Sequence, residues 1–228
     1  MVKNLIDIIF PNRCFSCDKI LSTKNQILCV SCISKLPYHY EYQLFTNDFK
    51  NKIDDLTKIE HAFSLFYFYK KGIAQKLIHE MKYNNKPRIG EFLGENLAQQ
   101  IKRNKAEPNF DAMLYIPTAK NTKRKRGYNQ VEKFAQAISK NLDIPILHAV
   151  KLKNDYKKSQ VGKSKTGRFQ NLANAFEVMA NENLNKKHLL IIDDVCTTGA
   201  TLASFIQSIK QKYDAKFSVA VIAYRNND

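Results

Sequence analysis

The sequence predicts an α/β fold: a mostly parallel sheet with helices on both faces, preceded by a small four-cysteine zinc-finger segment. Three observations predict it. From residue 111 onward, short apolar runs alternate with helical patterns. The strongest run, Leu189 to Val195, is almost continuously apolar, as strands buried on both faces are. Four of the five cysteines fall within 19 residues, between Pro11 and Pro37.

The cysteine segment comes first in the chain. Cys14 and Cys17 form one Cys-x-x-Cys pair, Cys29 and Cys32 a second, with 11 residues between them. Each pair can grip one side of a tetrahedral ion, and four thiolates complete the closed shell of structural zinc. A segment this short cannot close a core unaided, so the metal would contribute folding energy. Disulfides are the alternative in an oxidising compartment. His39 lies close by, but four cysteines leave it no ligand role, and it reads as an ordinary loop residue.

The rest of the chain divides accordingly. Residues 1–40 read as the zinc finger, 41–60 as a polar connector and 61–228 as the main domain. His61 to Tyr69 reads as a strand, with Tyr67 and Tyr69 on a core-facing pattern; single-strand base stacking is the other use of such aromatics. Helices are expected over 72–86, with Ile73, Leu77, Ile78 and Met81 at helical spacing, and over 90–103. Strands follow at 112–116, 146–152, 175–179, 189–195 and 217–224. Helices follow at 129–142 and 200–212.

Composition bounds the function. Hydrophobic content of 44% and charged content of 25% argue against disorder of the whole chain. Thirty-seven Lys and Arg against 21 Asp and Glu leave a net charge of +16, which favours anionic partners such as nucleotides, pyrophosphate or nucleic acid. A Lys-rich solvated surface is the competing explanation. No stretch reaches the length of a membrane span, and no cleavable signal is visible before Pro11, so a cytoplasmic protein without membrane insertion is expected.

The most informative stretch is LLIIDDVCTTGATL, residues 189–202. A buried strand ends in Asp193 and Asp194, and Val195, Cys196, Thr197, Thr198, Gly199, Ala200 and Thr201 lead into a helix. Small and hydroxyl residues at a helix start leave backbone N–H groups free for an anion, and the helix dipole favours it. Bare phosphate would be repelled by the aspartates. A sugar phosphate suits them, because carboxylates accept hydrogen bonds from ribose hydroxyls and can hold a magnesium ion bridging to pyrophosphate. Cys196 counts here as a small residue, although a reactive thiol is a second use at a helix N-terminus. A capped helix after a strand is the purely structural alternative.

A basic loop follows Pro117, with Lys120, Lys123, Arg124, Lys125 and Arg126 before Gly127. It leaves a strand at the edge where ligands of parallel sheets bind, so its forked guanidinium donors suit pyrophosphate oxygens. For Lys123 to Lys125 a nucleic-acid patch or a solvated run is equally compatible. The segment 151–168 holds seven cations and one Asp, with little apolar content.

The DDVCTTGAT run matches the phosphoribosyl-pyrophosphate (PRPP) signature of type I phosphoribosyltransferases. Around it stand the two Cys-x-x-Cys pairs, KYNNKP at 82–87, RKRGYNQ at 124–130, and a string from Gln160 through Arg168 and Asn171 to Phe176. In this order the chain resembles the ComF family of competence proteins. The resemblance implies a zinc finger ahead of a type I phosphoribosyltransferase-like domain, structural zinc, and magnesium bound with PRPP. It implies phosphoribosyl transfer, a glycosyltransferase reaction, and a place in DNA uptake during natural transformation. The alternative it leaves open is a non-catalytic PRPP-sensing module that binds single-stranded DNA or competence-machinery proteins. Carried over onto this sequence, Asp193, Asp194 and Arg126 are catalytic. Residues Asp193 to Thr201, with Lys125, Arg126 and Gly127, bind PRPP, and Asn129, Gln130, Gln160, Arg168 and Asn171 complete the family motifs. One departure is Gly167, which stands where the family usually has Glu. Segment 151–168 corresponds to the hood that closes over substrate in such enzymes, and a surface loop is its plain alternative.

Overall fold

The computed structural model describes residues 11–23, 25–39, 48–83, 86–103, 108–117, 130–153, 175–179 and 182–226. Its centre is a four-stranded sheet in the order β1 (Ala62–Tyr67), β6 (Lys216–Tyr224), β5 (His188–Cys196), β2 (Ala112–Tyr115), with all three pairings parallel. Parallel strands need crossover connections, and the helices supply them. These are α3 (Ile73–Tyr83), α4 (Pro87–Lys102), α5 (Gln130–Leu142) and α6 (Ala200–Lys210).

The apolar run of β5 explains the layering. Successive side chains of a strand point to opposite faces. Leu190 and Ile192 enter one core, with Met81, Leu93, Leu97 and Phe134 from α3, α4 and α5. Leu189 and Ile191 enter the other, with Phe205, Ile206 and Ile209 of α6. A strand covered on both sides has no polar face, which is why the run shows no alternation.

Close packing of α4 on α5 depends on Gly94. A Cβ there would sit 2.5 Å from the Phe134 carbonyl oxygen and 2.7 Å from Ala137 Cβ. Neither backbone nor a short side chain can give way, so Gly94→Ala should cost about 1–3 kcal/mol of stability. Urea denaturation measures it, and a midpoint equal to that of the unmodified chain would refute the close approach.

Three expectations are corrected. The polar stretch before residue 60 carries a helix, α2 (Asp48–Asp54), whose Phe49 and Ile53 are completely buried against the α6 face. Two apolar residues four apart suffice to dock a helix of about two turns, too little periodicity to read. The strand expected at 146–152 never joins the central sheet beyond an isolated bridge, Ile146 to Met113. Met113 N–H donates to the Pro145 carbonyl and Leu147 N–H to the Met113 carbonyl, both at 2.8 Å, and the pairing with β2 goes no further. Only β3 (Val150–Leu152) remains, paired antiparallel with β4 (Phe176–Val178) in a separate small sheet. His39 is no ordinary loop residue. It is buried, its Nδ1 lies 2.8 Å from Ser64 Oγ, and its carbonyl accepts a 2.8 Å bond from Gln100.

The cysteine segment includes one short helix, α1 (Val30–Ile33). Its exit, residues 37–39, lies antiparallel along the outer edge of β1: Tyr67 N–H donates to the Pro37 carbonyl at 2.9 Å and His39 N–H to that of Leu65 at 3.0 Å. Cys14, Leu28, Cys29, Cys32 and Leu36 belong to the same apolar cluster as Leu65, Phe66 and Leu93.

Candidate functional site

Two constellations stand out, one at the carboxyl ends of the strands and one among the cysteines.

At the first, β5 carries Asp193 and Asp194 to the sheet's carboxyl edge, the edge that binds ligands in open parallel sheets. Asp194 N–H donates to Asp193 Oδ1 at 2.8 Å. Desolvation pushes the Asp193 carboxyl well above the ordinary carboxylate range, and the neighbouring Asp194 adds to it. Lys82 opposes that rise from across the site, with Nζ 2.7 Å from Asp194 Oδ2. The two aspartates are therefore unequal. One is paired with a cation, and the other is held toward its protonated form.

Beyond them, Thr197 and Thr198 are exposed and Gly199 is buried. Gly199 has φ +79 and stands at the N-cap of α6. That left-handed conformation favours glycine, and a Cβ would meet Ile53 Cδ1 at 2.9 Å and Leu56 Cδ1 at 3.0 Å. With no side chain at the cap, the Thr201 N–H in the first turn of α6 is left for an external acceptor, while Ala200 N–H makes only a long bond to the Thr198 hydroxyl. Thr198 Oγ1 lies 3.4 Å from Ala200 N. Cys196 is buried in the α6-side core, and burial pushes its thiol up to about 12. It acts by packing, as a small residue, and not as a thiolate.

The neighbouring strands frame this edge. Tyr115 of β2 is level with Ile192, so the basic loop after Pro117 departs beside Asp193. Lys125, Arg126, Gly127 and Asn129 lie outside the described residues. So do Gln160, Arg168 and Asn171, and Gln130 is described only as the first residue of α5. Lys153 N–H donates to the Ala175 carbonyl at 2.9 Å, which extends the pairing of β3 with β4 by one bond. Phe176 fixes them on α6 by an edge-on contact with Phe205, centroids 5.1 Å apart.

Lys82 is the residue that sequence reasoning missed. It lies in the KYNNKP motif, but nothing local connects it with Asp194. A second miss is Tyr69. The sequence pattern puts it with the core, yet β1 ends at Tyr67 and Tyr69 is 59% exposed.

In the second constellation, the sulfur atoms of Cys14, Cys17, Cys29 and Cys32 all lie within 4.8 Å of one another. Cys17 Sγ and Cys29 Sγ are 3.7 Å apart. Tetrahedral zinc with Zn–S bonds of about 2.3 Å separates sulfurs by about 3.8 Å, so the cluster fits a metal ion. All four are free thiols and three are buried. At Cys14, burial would raise the thiol, but the backbone N–H groups of Cys17, Cys29 and Ser16 outweigh it and bring it down to about 6.

Comparison with known proteins bears directly on the first constellation. A model of the phosphoribosyl transferase domain matches residues 132–228, the part that holds β5, its loop and α6. Competence protein F of Haemophilus influenzae is 27% identical over 204 residues, 85% of this chain and 88% of that one. The chain is thus similar to competence protein F along most of its length, and its residues 132–228 match the phosphoribosyl transferase domain. The DNA utilization protein YhgH of Escherichia coli K12 is 26% identical to the ComF-like chain over 134 residues, 58% of each. Among solved structures, adenine phosphoribosyl transferase from Trypanosoma brucei superposes with a TM-score of 0.42 at 13% identity, over 72% of this chain and 71% of that one. The glutamine PRPP amidotransferase of B. subtilis gives 0.43 at 14%, over 63% and 30%. Among the described residues of the ComF-like chain, no helix is long and apolar enough to cross a membrane.

Proposed function

We propose that this ComF-like chain binds Mg-PRPP at the carboxyl end of β5 and transfers its phosphoribosyl group, in the service of DNA uptake or use. The observation that carries the reading is the pair of unequal aspartates leading into an uncapped helix start through the left-handed Gly199. The N–H groups of Thr198 to Thr201 hold the 5′-phosphate. Asp193 and Asp194 take the ribose hydroxyls. Lys125 and Arg126, in the loop that leaves β2 next to β5, receive the departing pyrophosphate. A carboxylate pair plus substrate phosphates is the usual donor set for magnesium, so these residues fit the ion, which when bound neutralises pyrophosphate charge. The cysteine cluster holds one structural zinc, in a finger spanning residues 1–40, and 61–228 form the transferase-like domain.

Lys82 fixes the position of the Asp194 carboxylate and should matter to this site. Lys82→Met is expected to weaken Mg-PRPP binding about tenfold, equivalent to about 1.4 kcal/mol. Unchanged affinity would reduce the pair to an ordinary surface ion pair.

The net charge of +16 favours a second reading, in which PRPP is a signal and the basic surface binds single-stranded DNA. Calorimetric titration with Mg-PRPP, repeated across salt concentrations, separates the two. Micromolar binding with a shallow salt slope supports the pocketed site. PRPP that is bound but not consumed, together with DNA affinity that falls steeply with salt, supports the second.

A further inference from the structure

The exit of the cysteine segment ends in a buried cluster of rings. His39 is 2% exposed, and Tyr224 and Phe49 are fully buried. The His39 ring meets those of Tyr67 and Tyr224 edge-on, each with its centroid 4.9 Å away, and Tyr67 and Tyr224 are 5.4 Å apart. Tyr224 also stacks on Phe49 of α2, centroids 4.9 Å apart and planes 21° apart. Four rings thus join the cysteine segment, β1, β6 and α2. Ring pairs contribute beyond their buried area only while their relative geometry holds.

The cluster adjoins the turn that follows β5. Tyr224 is level with Cys196, and Arg225 N–H, next in the chain, donates to the Cys196 carbonyl at 2.8 Å. Phe68 N–H donates to the Tyr224 carbonyl at 2.7 Å. Helix α2 reaches the same turn: a Cβ on Gly199 would sit 2.9 Å from Ile53 Cδ1, so Ile53 packs directly on the glycine. Phe49 and Ile53 are one helical turn apart, so a ring that holds Phe49 also holds Ile53. Tyr67 and Arg225, with Phe68, Tyr69, Lys70 and Asn226, also line an aromatic-walled cavity of about 380 Å³ at these strand ends. His39 is brought to the cluster by the cysteine segment, which is too short to keep a fold without a metal.

We propose that His39 is a positioning residue. Docked by the metal-bound cysteine segment, its ring holds Tyr224, and through Tyr224 and Phe49 the turn from Cys196 to Gly199, so that occupancy of the cysteine cluster governs the order of that turn. The docked and undocked exits are the two states, and the metal favours the docked one because the segment folds only around it. Withdrawing the ring leaves a gap beside Tyr67 and Tyr224, and the ends of β1 and β6 open locally. Zinc in the cluster is the starting point, and the consequence for ligand affinity rests on the Mg-PRPP reading of the turn.

The test is amide hydrogen exchange followed by NMR on the full chain, zinc-loaded and after chelation under reducing conditions. After chelation, exchange at the Phe68 and Arg225 amides should quicken about tenfold, the scale of a lost pair of ring contacts. Ile116 N–H, which donates to the Ile192 carbonyl on the other side of β5, should stay protected. His39→Ala and His39→Asn should reproduce the quickening with zinc still bound. Neither alters the backbone bonds at residue 39, and asparagine keeps a partner for Ser64 Oγ. Both should also weaken Mg-PRPP about tenfold by calorimetry. Protection at Phe68 and Arg225 that survives chelation overturns the proposal, because the cysteine segment is then merely attached. An asparagine variant as protected as the unmodified chain overturns it too, because the ring is then not what holds Tyr224. Equal quickening at Ile116 means wholesale unfolding, and loss of zinc from both variants makes His39 part of the finger's own fold; either result overturns the coupling. If the zinc-loaded chain binds no Mg-PRPP, the reading of the turn fails, while the exchange rates still decide this proposal.

Discussion

Replacing Asp193 and Asp194 together by asparagine is expected to abolish Mg-PRPP binding while leaving the chain folded. Each lost charge-assisted hydrogen bond costs about 1.5–3 kcal/mol, so two reduce affinity by about a hundredfold or more. The single variant Asp193→Asn carries a second signature. Its carboxyl is raised by burial and by Asp194, so the folded chain holds a proton that the unfolded chain releases. Stability that depends on this proton is present at low pH. It is lost as pH rises between the ordinary value of 3.8 and about 7. Asparagine has nothing to titrate. The variant should therefore gain stability relative to the unmodified chain between about pH 5 and pH 8, read from urea midpoints at both. A site that destabilises its own fold is one kept for a ligand. If the stability difference is the same at both pH values, Asp193 is an ordinary surface carboxylate, and the electrostatic account of the loop is wrong.

The second large effect concerns the cysteines. Cys29→Ser is expected to leave the chain without zinc and to lower its Tm by on the order of 10 °C, taking several kcal/mol at about 2–4 °C each for a chain of this size. Binding of structural zinc is worth about 10–16 kcal/mol in isolated fingers, comparable to the whole stability of a domain. Here the loss should spread, because the cysteines share an apolar cluster with Leu65, Phe66 and Leu93, and residues 37–39 hydrogen-bond along β1. Tyr67, which donates to that edge, also lines the aromatic cavity. Elemental analysis should find one zinc per unmodified chain. Thiol titration of the denatured, chelated protein should find all five cysteines reactive. A single reactive thiol would mean two disulfides and no metal.

Some features are legible in the sequence because their causes are local. The Cys-x-x-Cys pairs announce a four-sulfur cluster by spacing alone, and their sulfurs do converge to where they could hold a metal ion. The apolar run at 189–195 reads as a doubly covered strand, because a strand without a polar face has to be buried on both sides. Gly199 after two threonines reads as a turn into a helix, since glycine is the residue a left-handed cap requires. Periodicity locates α3, α4, α5 and α6 to within a few residues.

Other features depend on what chain closure brings together. Lys82 and Asp194 are far apart in the chain, and neither carries a mark of the other. His39 looks like loop until Ser64, Gln100 and the rings of Tyr67 and Tyr224 surround it. Helix α2 is a polar stretch with two apolar residues, and burial of Phe49 and Ile53 is what makes it part of the core. The sequence by itself determined the four-cysteine cluster, the covered strand and the glycine turn into α6, because each depends on neighbours along the chain. Only the tertiary structure decided the unequal aspartates, the docking of the cysteine segment on β1 and the aromatic cavity. Burial, strand register and long-range charge pairing exist only once distant residues share one surface.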